Sequence, residues 1–151
     1  MTDPSGLRIV AVHTLANGAT GPADEWVAIS NDGPNRWEDH EWELCVEHER
    51  PESDLVYRFP IVMPGDAGWW TFEPGEVIFV FTGRGSDLYV ANPTGGRRPQ
   101  FQFHWGRPAV AWDRPGRRLC LREAGSHDVV AEPFLLPAHP RAEAAGKARS
   151  G

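Results

Sequence analysis

Residues 25–33 read Glu-Trp-Val-Ala-Ile-Ser-Asn-Asp-Gly, and this stretch decides the fold. An acidic residue and a tryptophan lead into an apolar run, Trp26 to Ile29, which stops at Asn31-Asp32-Gly33. Asn, Asp and Gly tolerate the backbone angles of a tight turn, so the run is a strand delivered into a turn.

The same grammar repeats in both directions. Upstream, LRIVAVHTL at 7–15 alternates, Ile9 with Ala11 and Val10 with Val12, and NGATGPAD at 17–24 is a loop of Asn, Gly and Pro. Downstream, WELCVEHE at 42–49 sets Trp42, Leu44 and Val46 on one face. Glu41, Glu43, Cys45 and Glu47 fall on the other, the pattern of a half-buried antiparallel strand. LVYRFP at 55–60 is a strand ended by Pro60, and a Pro-Gly turn precedes a strong apolar strand from Val77 to Phe81. DLYVA at 87–91 reads as a short edge strand. QFQFHWG at 100–106, AVAW at 109–112 and RLCLRE at 118–123 follow, the last two joined by the turn DRPG at 113–116. AGSHD at 124–128 then turns into VVAEPFLL.

No stretch of ten residues shows helical spacing of its apolar positions. Short strands at regular spacing with Gly and Pro turns predict an all-β fold, and alternation with seven tryptophans to fill a core favours a sandwich of two sheets. The expected organisation is an N-terminal arm at 1–6, the sandwich at 7–136 and a flexible tail at 137–151, where small, polar and charged residues take over.

A chain of 151 residues with 40% hydrophobic content makes one domain with a real core and excludes a disordered protein. No apolar run is long enough to cross a bilayer, so no membrane partner is expected. The start, MTDPSGLRIV, has no basic segment ahead of an apolar one, so a cytoplasmic location is expected. Cys45 and Cys120 are too few for a disulfide framework or a zinc site and read as reduced thiols.

The net charge of −6 is unevenly spread. Residues 1–80 carry 4 Arg against 15 Asp and Glu (−11); residues 81–151 carry 11 Lys and Arg against 6 Asp and Glu (+5). Either the two halves of one sandwich are salt-bridged, or a bipolar surface meets a charged partner.

Several groupings resemble catalytic or metal chemistry, and spacing disposes of each. His40 and His48 share strand parity, but eight residues of strand span roughly 27 Å, too far for one metal. Glu41, Glu43 and Glu47 suit a solvated or aggregation-resisting face better than a calcium site. Ser126, His127 and Asp128 are consecutive, whereas a triad needs side chains converging from separate elements. GRGS at 83–86 and PTGGRR at 93–98 lack the following helix and Gly-Lys-Ser/Thr of a phosphate loop. No cofactor and no catalytic residue is expected.

Two groupings point instead to binding. Arg107, Arg114, Arg117, Arg118 and Arg122 lie near Phe101, Phe103, His104 and Trp105, and arginines interleaved with aromatics suit single-stranded nucleic acid. Strand parity also places Arg118, Cys120 and Arg122 outward, as it does Glu41, Glu43, Cys45 and Glu47. Such acidic and basic stripes face each other across subunits or lie on neighbouring strands of one sheet. Trp69 and Trp70, next to Gly68, are the candidate exposed anchor, since tryptophan is enriched in binding hot spots.

In their order these segments resemble the lamin tail domain, an immunoglobulin-like β-sandwich. LRIVAV resembles its opening strand, and EWVAISNDG its acidic-aromatic-Val-x-Leu/Ile-x-Asn-x-Gly block. WELCVEHE, VYRFP and EPGEVIFVFTGRG resemble the strands that follow, and HWGRPAVAWDRPGRRLCLREAG the closing hairpin. The resemblance runs from about Leu7 to Ala131 and is nearest to small stand-alone actinobacterial versions. This chain departs from the pattern in Asp113-Arg114-Pro115 before Gly116, in Arg117-Arg118 after it, and in the acidic insertion at 48–55.

The family has no shared catalytic residues. The resemblance therefore implies a non-enzymatic protein-interaction or assembly (structural) module, its partner a protein, a second copy of the chain included. The alternative is an accessory nucleic-acid-binding domain using the Arg-rich second half. The partner-binding candidates are Trp69, Trp70, Arg114, Arg117, Arg118, Arg122, Glu41, Glu43 and Glu47.

Overall fold

The Glu-Trp-Val-Ala-Ile-Ser-Asn stretch forms β2, Trp26–Asn31, and lies inside a sheet rather than at its edge. The computed structural model describes residues 6–38, 40–47, 55–63 and 68–139. Among them are eleven strands and two short 3-10 turns, Leu15–Asn17 and Thr94–Gly96, with no α-helix. Among the described residues no helix is long and apolar enough to cross a membrane.

The strands are β1 (Leu7–His13), β2, β3 (Trp42–Val46), β4 (Tyr57–Arg58), β5 (Val62–Met63), β6 (Gly68–Trp69), β7 (Val77–Phe81), β8 (Leu88–Val90), β9 (Gln100–His104), β10 (Arg118–Glu123) and β11 (Phe134–Leu135). They form a five-stranded sheet β1-β2-β7-β9-β8, a four-stranded sheet β11-β10-β3-β4 and a small β5-β6 ribbon. Every pairing in these sheets is antiparallel except β7 with β9.

Both larger sheets feed one apolar core, an arrangement consistent with a β-sandwich. Val27, Ile29, Ile78, Val80 and Phe103 come from the first, and Trp42, Leu44, Leu119 and Leu121 from the second. Phe59 meets Phe103 edge-on at 5.6 Å, joining the layers. Trp42, Trp70 and Trp112 are inside the core, with Trp37 and Trp105 packed against it. Trp26 and Trp69 are the exceptions.

Two local readings shift. β1 carries a bulge between Ile9 and Ala11, so Val12 rather than Ala11 joins Ile9 inside. A bulge adds one residue and reverses the parity that follows it. Ala109 to Trp112 form no strand, yet Ala111 and Trp112 are buried. At the start of the expected tail, His139 lies 2.6 Å from Asp113, Nε2 to Oδ1. Residues 140–151, and His48 with most of the acidic insertion, lie outside the described residues.

Candidate functional site: an aromatic row on the outer sheet face

A sheet with one face in the core normally alternates apolar inward and polar outward. The five-stranded sheet breaks that rule. In β7, Ile78 and Val80 point into the core, yet the outward positions are Val77, Phe79 and Phe81, each half-buried. β2 places Trp26 on the same outer face, β1 His13 and β9 His104.

These side chains make one connected row. His13, Trp26, Phe81 and His104 are successive register partners across four adjacent strands. His13 stacks on Trp26 at 5.5 Å, and Trp26 meets Phe79 edge-on at 5.5 Å. Phe79 stacks with Phe81 at 6.4 Å, and Phe81 with His104 at 5.1 Å. The row is a continuous aromatic surface, partly open to solvent, and it suits stacking or apolar docking.

One buried carboxylate sets its register. Glu25 is 0% exposed and its two oxygens accept four hydrogen bonds. Thr82 Oγ1 donates to Oε1 at 2.5 Å and the Ala111 N–H to the same atom at 2.8 Å. Thr14 Oγ1 donates to Oε2 at 2.6 Å and the Trp112 N–H at 3.1 Å. Thr14, Glu25 and Thr82 each adjoin a member of the row, His13, Trp26 and Phe81. Tying the three inward groups to one carboxylate lines up the three outward rings. It also buries 111–112 without a strand. At the other end of β2, the buried Asn31 amide donates to the carbonyls of Asn35 and Phe72, at 2.9 and 3.2 Å.

The glycine-rich exit after β7 serves the same packing. A Cβ on Gly85 would stand 2.3 Å from the His104 ring, so only glycine fits there. In the 93–98 loop, Arg98 donates from Nε to the Gly75 carbonyl at 2.5 Å and pairs with Asp32 at 3.1 Å. Arg98 therefore clamps two turns.

The expected partner-binding residues divide sharply. Trp69 is 66% exposed, whereas Trp70 is buried, its indole N–H donating to the Pro60 carbonyl at 2.6 Å. The Trp69-Trp70 anchor is thus corrected to Trp69 alone, because the second ring fills the core beside Phe101 and Phe103. Glu43 and Arg122 are corrected too. They are register partners on β3 and β10, both buried, with Arg122 Nε donating to Glu43 Oε1 at 2.6 Å. The acidic and basic stripes lie side by side in one sheet here, so two opposite charges close on each other instead of on a partner. Glu41, Arg117 and Arg118 are exposed, while Arg114 and Glu47 are half-buried.

Cys45 and Cys120, also read as outward, are buried register partners with sulfurs 3.9 Å apart and unlinked. The hydrogen bond to Cys120, and then burial, push the Cys45 thiol up. His40 lies between Trp42 and Trp70, centroids 4.0 and 4.2 Å away. Ser126, His127 and Asp128 occupy an exposed turn, and His127 Nε2 stands 3.9 Å from Glu43 Oε1. Among the described residues no three His, Cys, Asp or Glu side chains are grouped to hold a metal ion.

The aromatic row went unread in the sequence, although a signal was present. Val77 to Phe81 is apolar at every position, and a strand with one wet face should alternate. No protein-family model matches the chain, and no curated protein matches it.

Proposed function

We propose that this chain is a non-enzymatic protein-interaction module, an immunoglobulin-like β-sandwich of the lamin-tail type, which docks a protein partner on the outer face of its five-stranded sheet. The aromatic row from His13 to His104 carries the reading. Interface centres are enriched in aromatics and depleted of charge, and Trp26, Phe79 and Phe81 supply such a centre on a rigid sheet. Strand order supports the immunoglobulin-like part. β1, β2 and β7 adjoin as the A, B and E strands of such sandwiches do, and β11-β10-β3-β4 follows G-F-C-C′. The parallel β7-β9 pair departs from that scheme. The buried carboxylates of Glu25 and Glu43 are held by structural partners, which fits a scaffold better than a reaction centre.

A photo-crosslinking residue at position 79 tests the docking face. In cells it traps a protein adduct, or a second copy of the chain, while the same group at the exposed Val129 does not. Equal trapping at both positions, or none at 79, refutes the proposal.

One observation favours a second reading. Exposed aromatic rings on a sheet face also stack nucleic-acid bases. Salt-sensitive retention of single-stranded oligonucleotides, lost in Phe79→Ser, would establish it. The buried Arg122 contributes no phosphate contact in that case.

A further inference from the structure

A second site opens on the opposite side of the edge strand β8. Tyr89 is the register partner of Phe101, and both point to the inner side of the sheet. Between Tyr89 and the β5-β6 ribbon lies a cavity of about 280 Å³. It is lined by Met63, Trp70, Thr71, Glu76, Tyr89 and Phe101. Three aromatic rings, a thioether and one carboxylate therefore share one opening.

The rings are mutually tilted, not stacked flat. Phe101 stands 4.6 Å from Tyr89 at 49° and 5.0 Å from Trp70 at 56°. All three rings line the one opening, and the ring faces are the negative part of the aromatic quadrupole. Glu76 adds a formal negative charge and is held in place. Its Oε1 accepts the Glu73 N–H at 2.7 Å, and its Oε2 accepts the Tyr89 hydroxyl. Burial, and then that hydrogen bond, push the Tyr89 hydroxyl up to about 12, so the ring stays neutral.

We infer that this cavity is a binding site for a methylated ammonium ion. Aromatic faces attract a diffuse cation that carries methyl groups, and the nearby carboxylate favours a charge over a neutral group of the same shape. The cation is either a free small molecule of the choline kind or a methylated lysine side chain of another polypeptide. The site faces away from the aromatic row, so failure at one leaves the other standing.

Calorimetric titration of the full chain tests the inference. Choline binds, and its uncharged tert-butyl analogue binds about tenfold more weakly or not at all. Tyr89→Leu, at a position 42% exposed on an edge strand, folds normally and weakens choline binding severalfold. Glu76→Gln keeps an acceptor for the Glu73 N–H and weakens binding about tenfold. Val129→Ala, exposed and outside the lining, leaves binding unchanged. A peptide carrying trimethyllysine separates the sources: tighter binding than choline assigns a protein side chain, weaker binding a free cation. Equal affinity for choline and its neutral analogue, no binding by either cation, or indifference to Tyr89→Leu overturns the inference.

Discussion

Glu25 and Glu43 are both carboxylates at 0% exposure, and the protein holds them by opposite means. Glu25 sits among neutral donors, two hydroxyls and two backbone N–H groups, drawn from the ends of β1 and β7 and from 111–112. Both of its oxygens are satisfied. Glu43 sits among basic side chains: the guanidinium groups of Arg122 at 2.6 Å and Arg58 at 3.5 Å, and the imidazole of His127 at 3.9 Å. That arrangement is incomplete. Among the described residues Glu43 Oε2 and Arg122 Nη2 make no hydrogen bond. Directional neutral bonds specify register, since each donor must be in one place. A buried ion pair offsets its own desolvation and is replaceable by apolar groups of similar volume. The first carboxylate is therefore the one on which the alignment of the aromatic row depends.

The largest effect expected is at Glu25. Glu25→Ala leaves the buried backbone N–H groups of Ala111 and Trp112 without their acceptor, and it lowers unfolding free energy by about 4 kcal/mol in urea titration. Glu25→Gln replaces one acceptor oxygen with an amide that faces two donors, and costs about 2 kcal/mol. A loss as small as that of a surface substitution would break the contrast.

Next comes the ion pair. Arg122→Leu alone leaves Glu43 with only its longer contacts and costs about 3 kcal/mol, whereas Glu43→Leu with Arg122→Leu returns to within about 1 kcal/mol of the parent. A double-substitution cycle in denaturant reads this directly. If the double variant were as unstable as the Glu25→Ala protein, the two carboxylates would be equivalent.

Thr82→Val sharpens the comparison further. It keeps shape, removes one of the Glu25 donors and costs about 1 kcal/mol. It also shifts the ring resonances of Phe81 and His104, since Thr82 adjoins Phe81. Arg58→Ala, its counterpart at Glu43, costs less than about 1 kcal/mol because the guanidinium is 69% exposed.

The smallest effect is at Asp24, beside Glu25. The backbone N–H of Thr20, above all, and then that of Gly21 hold its carboxyl below the usual 3.8. A carboxyl lowered on folding stabilises above its unfolded value, and that contribution disappears as pH falls through the folded one. Asp24→Asn therefore removes a slight stabilisation that is fully present at neutral pH, and with it a slight part of the fall in stability as pH drops below 3.8. Matched acid titrations of the two proteins measure it.

Much of the fold was legible. β7 spans Val77–Phe81 as its composition requires, β8 is an edge strand, and Trp42, Leu44 and Val46 are inside. Those readings hold because period-two patterning and Pro-Gly turns act through near neighbours. The site was less legible. Glu25 was visible as an acidic lead into β2, but its donors lie as far as 87 residues away. Outward parity was also read as exposure at Glu43, Cys45 and Arg122, and these three are buried. Parity states which side of a strand a residue occupies; it does not state whether that side is covered.

Alternation and turn chemistry within the chain were enough to require β-strands, their rough limits and an aromatic core, because each depends on contacts a few residues long. Which tryptophan stays outside, which charges close on one another and which rings form a row depended on strand pairing. Those outcomes arise where residues remote in sequence compete for one volume and one set of hydrogen-bond partners, and only the assembled sheets resolve that competition.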